Sequence, residues 1–242
     1  MSTSIKKSTR RTFAFIFARG GSKGIPRKNL QDLGGLPLIA HAIRCGQALS
    51  DVEKVILSTD DEEIAETARQ YGAEVPFMRP AELAGDKAPE RLAWQHAVTQ
   101  SRQLYGDFDV FLSLPFTAPL RSVEDVQRVL AEFQPGVTDV IITVSPGRRS
   151  PYFNMVTQDA DGWARLICDS TGITRRQDAP EVFDMTTVAY AASPDFVMTE
   201  TPMMKGRIRM VVVPSERALD IDEPVDLDIA RFLYDRSRAR SA

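Results

Sequence analysis

Cysteine and histidine are scarce in this 242-residue chain, which has two of each. Cys45 and Cys168 stand far apart with no metal-ligand spacing, which excludes a disulfide framework and a zinc site and leaves two isolated thiols. His41 and His96 both fall inside helical patterns, so a Ser-His-Asp or Cys-His relay has no support. No apolar run reaches the roughly 20 residues that cross a bilayer. The basic start (Lys6, Lys7, Arg10, Arg11) lacks the apolar stretch of a secretory signal, so a cytoplasmic protein is expected. Charge of one sign is lacking too: the formal net charge of -3 is too small for a long-range field to make nucleic acid or an anionic membrane the main partner.

What is there is ordinary globular composition, 43% hydrophobic and 26% charged, arranged as alternating strand and helix patterns. Residues 1–11 read as a disordered basic tail and residues 12–242 as a single domain. Thr12 to Ala18 is continuously apolar and reads as a buried strand running into Arg19-Gly20-Gly21-Ser22. Pro37 opens a helix with Leu38, Ile39, Ala42, Ile43 and Leu49 inward. Lys54 to Ser58 is the next strand, Asp61 to Tyr71 a helix stopped by Gly72, and Glu74 to Met78 a third short strand. Pro89 opens the helix that carries Trp94 and Val98. Asp109 to Leu114 and Asp139 to Ser145 are further strands, separated by a helix with Ser122 and Asp125 as its capping pair.

This alternation implies an α/β fold with a mainly parallel sheet flanked by helices, and ligands bound at the carboxyl ends of the strands. After Pro146 the rhythm breaks. Tyr152 to Val156, Trp163 to Ile167 and Thr186 to Ala191 read as an antiparallel excursion, so a smaller lobe is expected at about residues 146–192. Ile208 to Val213 resumes as a buried strand and Glu223 to Tyr234 closes the chain as a helix.

Two segments carry chemistry. Between Ala18 and Leu30, Gly20, Gly21 and Gly24 let backbone N–H groups close around phosphate oxygens, while Arg19, Lys23, Arg27 and Lys28 supply charge for a polyphosphate. A solvated basic turn would have the same charges, but the place directly after the first buried strand favours phosphate. The glycine spacing matches neither the dinucleotide fingerprint nor a P-loop. Asp220 and Asp222, two apart in an extended backbone, have Cα atoms roughly 6.5 Å apart and can share a hard cation such as magnesium. Equally, Asp222 could simply cap the helix that follows it.

The stretch Ala18 to Leu30 resembles the nucleotide-binding signature of the N-acylneuraminate cytidylyltransferases, the CMP-sialic acid synthetases. The resemblance continues in order through Ser58-Thr59-Asp60, Arg79-Pro80-Ala81-Glu82-Leu83-Ala84 with Asp86, Thr117-Ala118-Pro119-Leu120-Arg121, Arg176-Gln177 and Asp220-Ile221-Asp222. It implies a Rossmann-like domain with an inserted dimerisation lobe, usually in a homodimer. It also implies transfer of CMP from CTP to the anomeric hydroxyl of a sialic-acid-like nonulosonic acid, with release of pyrophosphate. In that family Arg19 and Lys28 would hold the CTP phosphates, and Ala18, Gly20, Gly21 and Lys23 would complete the loop. Ser22 and Asn29 would help to position the nucleotide, and Arg79 would lie beside the cytidine. Asp220 and Asp222 would bind Mg2+ or Mn2+, the resemblance favouring metal over helix cap. Arg176 would take the sugar carboxylate, with Thr117 nearby, and Tyr152, Phe153 and Phe183 would pack either on the sugar or inside the lobe.

Sialic-acid members commonly carry Gln-Pro where this chain has Pro115-Phe116, a lysine near Phe153, and Asn-Gly near Thr186-Thr187. These departures surround the expected sugar site, which opens legionaminic, pseudaminic or deaminated sialic acids as acceptors. Two other classes fit the fold pattern. A NAD-dependent dehydrogenase is opposed by the missing fingerprint, and a non-enzymatic sugar-nucleotide-binding protein would not need Asp220 and Asp222.

Overall fold

A computed structural model describes residues 10–241. Its strands and helices are β1 (Thr12–Phe17), the minimal ladder β2 (Asp32–Leu33) and β3 (Leu36–Pro37), α1 (Leu38–Gln47), β4 (Val52–Ser58), α2 (Glu62–Gln70), α3 (Glu90–Tyr105), β5 (Val110–Ser113) and α4 (Val123–Glu132). These are followed by β6 (Val140–Pro146), β7 (Val156–Gln158), β8 (Ala164–Leu166), β9 (Phe183–Ala192), the short α5 (Pro194–Val197), β10 (Ile208–Val212) and α6 (Pro224–Ser241). Among the described residues no helix is long and apolar enough to cross a membrane.

β1 is apolar along its whole length because it is central and covered on both faces. Phe13 and Phe15 point to one side, where Phe15 stacks on Phe111 at 4.8 Å and Phe13 on Phe108 at 4.5 Å. Ala14 and Ile16 point to the other side, into a core filled from α1, α2, α4 and α6. α3 covers the aromatic side through Trp94, Ala97 and Val98. The result is the three-layer arrangement that the alternating pattern implies.

The six-stranded sheet runs β10-β6-β9-β5-β1-β4. β4, β1 and β5 are mutually parallel, β10 is parallel to β6, and only β9 runs antiparallel, between β5 and β6. The mainly parallel α/β class is therefore correct. The loops after β1, β4, β5 and β10 leave the carboxyl ends of parallel strands, where ligands bind in such sheets.

Several local expectations are corrected. Residues 74–78 form no strand and make only the single bridge Ile56 to Glu74, since Pro76 has no N–H to continue a ladder. Residues 152–156 are mostly turn, with the Ser150 carbonyl accepting from the amides of Phe153, Asn154 and Met155. Residues 186–191 lie within β9, in the middle of the main sheet, so the projecting segment is 147–182 with the hairpin β7–β8 inside it. β10 is an edge strand, not a buried one, and its Arg209, Met210 and Val212 are exposed. Residues 1–9 of the expected tail lie outside the described residues. Arg10 and Arg11 are tied in: Arg10 Nη1 donates to the Phe133 carbonyl at 2.7 Å and Arg11 pairs with Glu53 at 2.8 Å.

The capping pair of α4 is as expected, with the Ser122 hydroxyl accepting from the Asp125 amide and the Asp125 carboxylate accepting from the Ser122 amide. Asp125 does more. Its buried carboxylate also takes Arg217 at 2.7 and 2.9 Å and Arg128 at 2.8 Å. Burial pushes this carboxyl up, but Arg217, the Ser122 amide and Arg128 outweigh it and bring it down to about 2. A depressed carboxyl stabilises the fold above its unfolded value near 4, and that contribution is lost as pH falls through 2. Asp125→Asn should therefore cost about 2 kcal/mol at pH 7. In urea titrations the gap between wild type and variant should close between pH 4 and 2, and a gap that stays constant over that window would refute the assignment.

Candidate active site

Ala18 N donates to the Ser58 carbonyl at 3.1 Å, which carries β1 one residue past its formal end before the glycine loop turns away. Asn29 is fully buried, and its side-chain amide donates to the Arg19 carbonyl at 2.9 Å, so it fixes the shape of the loop from behind. Arg27 takes a left-handed backbone (φ 52°) and turns to the start of α2, where it pairs with Asp61 at 2.6 Å and with Glu63. Its charge is thus spent on α2 rather than offered to a phosphate, a correction to the set of four cations.

The other cations face a cleft of about 600 Å³, which Arg19, Lys23, Lys28 and Arg79 all line. Arg19 and Lys23 share Asp86 at 2.9 and 2.6 Å. Arg79 is almost buried and donates to the Ala18 carbonyl at 2.7 Å, with Asp60 at 3.7 Å. Burial pulls its guanidinium down, and Asp60 opposes this. Asp60 also accepts from the Gly20 amide at 3.2 Å, so one carboxylate couples the glycine loop to Arg79.

Lys28 is 9% exposed, and its ammonium donates to the Ile221 carbonyl and to Asp222 Oδ1, each at 2.8 Å. Gly24 explains how the loops come so close: a Cβ there would sit 2.2 Å from the Asp222 carbonyl oxygen, which no side chain tolerates. The Ile221 amide in turn donates to the Thr117 carbonyl at 2.8 Å. Arg121, buried and pushed down to about 10 by that burial, donates to the carbonyls of Ala118 and Pro115 and closes the 115–121 loop on itself. Three loops are in this way fastened around the same mouth.

The alternative role for Asp222 as a helix cap is not what the geometry shows. The amides of Asp222 and Glu223 are taken by the carboxylate of Asp226 at 3.0 and 2.8 Å, while the Asp222 carboxylate turns to Lys28. Asp222 is exposed in the cleft. Asp220 is half-buried, and its Oδ1 is enclosed without a hydrogen-bond partner. Among the described residues no group of three or more His, Cys, Asp or Glu gathers as a ready-made metal cage.

Of the remaining expected residues, Ser22 and Thr117 line the cleft, whereas Ala18, Gly20, Gly21, Asn29 and Asp220 do not. Arg176, Tyr152, Phe153 and Phe183 do not line it. Arg176 lies on a helical turn of the projecting segment and donates to the Arg148 carbonyl at 3.1 Å. Tyr152 and Phe153 are half-buried in the 150–155 turn, and Phe183 starts β9 opposite Pro146. Phe116, expected beside the sugar site, lines the cleft, and sequence reasoning missed Phe17 and Glu90 as cleft residues. The one available signal for Glu90 was its place at the start of α3, four residues before Trp94, whose indole N–H it accepts at 3.2 Å. His41 and His96 stay outside the cleft: His41 binds the Leu33 carbonyl at 2.9 Å and His96 meets the Phe77 ring edge-on.

Known proteins resemble this chain in sequence and in fold. The cytidylyltransferase family matches residues 13–112. The post-translational flagellin modification protein B of Campylobacter coli is 34% identical over 220 residues, covering 90% of this chain and 92% of that protein. The CMP-N,N'-diacetyllegionaminic acid synthase of Campylobacter jejuni is 33% identical with the same coverage of both chains. Among solved structures, CMP:2-keto-3-deoxy-manno-octonic acid synthetase complexed with CTP is 17% identical and superposes with a TM-score of 0.71, over 94% of this chain and 99% of the other, which shows a common fold. The glycine loop, the cleft behind it and the full-length kinship agree: the chain belongs to the cytidylyltransferase family, with the sialic-acid-like members, and is a nucleotidyltransferase enzyme.

Proposed function

We propose that this enzyme transfers CMP from CTP to the anomeric hydroxyl of an acidic nonulosonic sugar of the legionaminic kind, releasing pyrophosphate with Mg2+ or Mn2+ bound at Asp220 and Asp222. The observation that carries this reading is the meeting of Arg19, Lys23 and Lys28 with Asp222 in one cleft, at the end of strands where nucleotides bind. The hydroxyl oxygen attacks the α-phosphorus and gives up its proton to solvent water, the bond from that phosphorus to the bridging oxygen breaks, and pyrophosphate leaves with the electron pair. Arg19, Lys23 and Lys28 stabilise the charge that builds on the leaving phosphates. Asn29 and Gly24 hold the loop so that little reorganises during the step.

Hard oxygen donors suit the metal: Asp222 opens to the cleft and the buried Oδ1 of Asp220 lacks any other partner. A bound divalent ion would supply charge stabilisation at the phosphates. The name of the Campylobacter jejuni relative supports a legionaminic-type acceptor. A homodimer is supported by the apolar side chains that the hairpin of the projecting segment leaves exposed, Trp163 at 69% and Val156 at 61%. Since Arg176 is not at the cleft of its own subunit, it would reach the sugar carboxylate from the projecting segment of the other one.

The test is pyrophosphate release from CTP with N-acetylneuraminate, its deaminated analogue, legionaminate and pseudaminate at subsaturating concentration. Legionaminate or pseudaminate should exceed N-acetylneuraminate by about 1 to 3 kcal/mol in kcat/KM, and the activity should vanish with a chelator. Turnover only with a neutral hexose phosphate would overturn the acidic-sugar reading.

A further inference from the structure

Arg79 is the least exposed of the four cations that line the cleft, its side chain 6% exposed against 36% for Arg19 and 76% for Lys23. Its position is built from the end of β4. The carbonyl of the fully buried Thr59 accepts from the Arg79 amide at 2.7 Å and fixes the backbone, while the Ala18 carbonyl takes Nη2 at 2.7 Å. Nε is enclosed, with no partner among the described residues. The Ala18 carbonyl and Asp60 are therefore what orients the guanidinium, and among the described residues Asp60 is the one carboxylate paired with it, at 3.7 Å.

Asp60 is itself placed from both sides. The Thr59 hydroxyl accepts from the Asp61 amide at 3.2 Å, and Asp61 caps α2 and holds Arg27. The same turn receives the glycine loop: Asp60 Oδ1 accepts from the Gly20 amide at 3.2 Å, and a Cβ on Gly20 would come 2.8 Å from Asp61 Oδ2, so only glycine lets the loop lie this close. Asp60 does not line the cleft. A ligand there meets Arg79 and the glycine loop, and is reached by Asp60 only through them.

The carboxylate changes what Arg79 can do. A buried guanidinium without a counter-charge attracts any phosphate, whereas one balanced by a carboxylate keeps its directional donors and loses most of its pull on anions. After Arg79 the chain runs through the turn Ala81–Leu83 and lines the cleft with Leu83, Ala84 and Ala88, small apolar walls that suit a flat base better than a phosphate. The more exposed charges of Arg19 and Lys23 are left for the triphosphate.

Resting on the cytidylyltransferase reading above, we propose that Asp60 is a positioning residue for nucleotide selection, which orients and neutralises Arg79 so that its N–H donors read the base, and pins the Gly20 amide so that base site and phosphate loop keep a fixed spacing. Cytosine presents an acceptor at N3 where uracil presents a donor, so a misaimed guanidinium loses the preference for CTP over UTP.

The experiment uses the full chain with Asp60→Asn and Asp60→Ala. Asparagine keeps an oxygen for the Gly20 amide and removes the charge that faces Arg79; alanine removes both. In Asp60→Asn the calorimetric Kd and the KM of CTP should rise about tenfold, and the preference for CTP over UTP should fall by a similar factor. The Kd of inorganic tripolyphosphate should stay within about twofold of wild type or tighten, since the loop is still pinned and Arg79 is no longer neutralised. In Asp60→Ala tripolyphosphate should bind more weakly as well, while KM for the acceptor sugar is unchanged in both variants. Thermal melts check the fold, and the near-isosteric asparagine variant decides if alanine unfolds. A wild-type preference for CTP in Asp60→Asn would overturn the proposal. So would equal losses for CTP and tripolyphosphate in that variant, which would make Asp60 a support of the loop alone. Calorimetry with CTP and UTP needs no acceptor, so the outcomes separate. A wild type that prefers CTP but turns over no nonulosonic acid overturns the function proposed above and leaves this inference to the binding data; an active wild type with unchanged selectivity in Asp60→Asn overturns this inference alone.

Discussion

Lys28→Ala and Arg19→Ala are each expected to lower kcat/KM by roughly two orders of magnitude, from the loss of about 2 to 4 kcal/mol of charge-assisted stabilisation in the transition state. Both side chains line the cleft, and both are held by carboxylates that orient them toward it, Asp86 for Arg19 and Asp222 for Lys28. Their costs in stability should differ. Arg19 is a third exposed, so its pair with Asp86 contributes little to the fold and the melting temperature should barely move. Lys28 is nearly buried and fastens the Ile221 carbonyl across 193 positions of sequence, so its removal should loosen the 220–222 loop as well. Steady-state pyrophosphate release and thermal melts on both variants separate the two effects. Wild-type kinetics in both would refute the phosphate assignment of the loop.

Asp222→Asn should be at least as damaging to activity while leaving a folded protein. The Asp222 carboxylate is turned to Lys28 rather than to the amides of α6, so the amide substitution removes no helix cap. What it removes is the negative charge that would hold a divalent ion beside the phosphates, a loss of several kcal/mol in the chemical step. Manganese binding in the presence of CTP, read by calorimetry, should weaken in parallel with turnover. A variant that is folded by circular dichroism and fully active would remove the metal role. Loss of the folded signal would instead return Asp222 to a structural one.

The parts of the molecule that sequence made legible are those governed by local chemistry. The apolar run of β1, the Ser122 and Asp125 capping box and the Gly72 stop, which has φ 86°, need only near neighbours to declare themselves. The glycine loop was legible for the same reason, since charge, glycine and the preceding strand sit together in the chain. What sequence did not disclose depends on register and distance. Residues 186–191 alternate like a strand, but nothing local says that they insert between β5 and β6. Arg27 was counted with the phosphate cations because sequence shows its charge and not the left-handed turn that aims it at Asp61. Glu90 was not singled out, because the cleft it faces is assembled from loops far away in the chain. Cys45 and the histidines gave no functional signal, and they occupy packed or half-buried positions that call for none.

The reversed direction of β9 has a consequence for how the chain reaches this structure. β5 and β6 are close in sequence, yet they never touch as a ladder, because the strand that joins them is made only after the whole projecting segment has been traversed. Until residue 192 is available, the growing polypeptide holds one half-sheet of β4, β1 and β5 and a lone β6, each with a bare edge of unpaired backbone groups. Closing the sheet is thus a late and non-local event, the kind that folds slowly and leaves unpaired strands open to misassociation in the interval. The cleft can be completed only after that event, since Asp220 and Asp222 follow β10, whose neighbour β6 reaches the rest of the sheet through β9 alone.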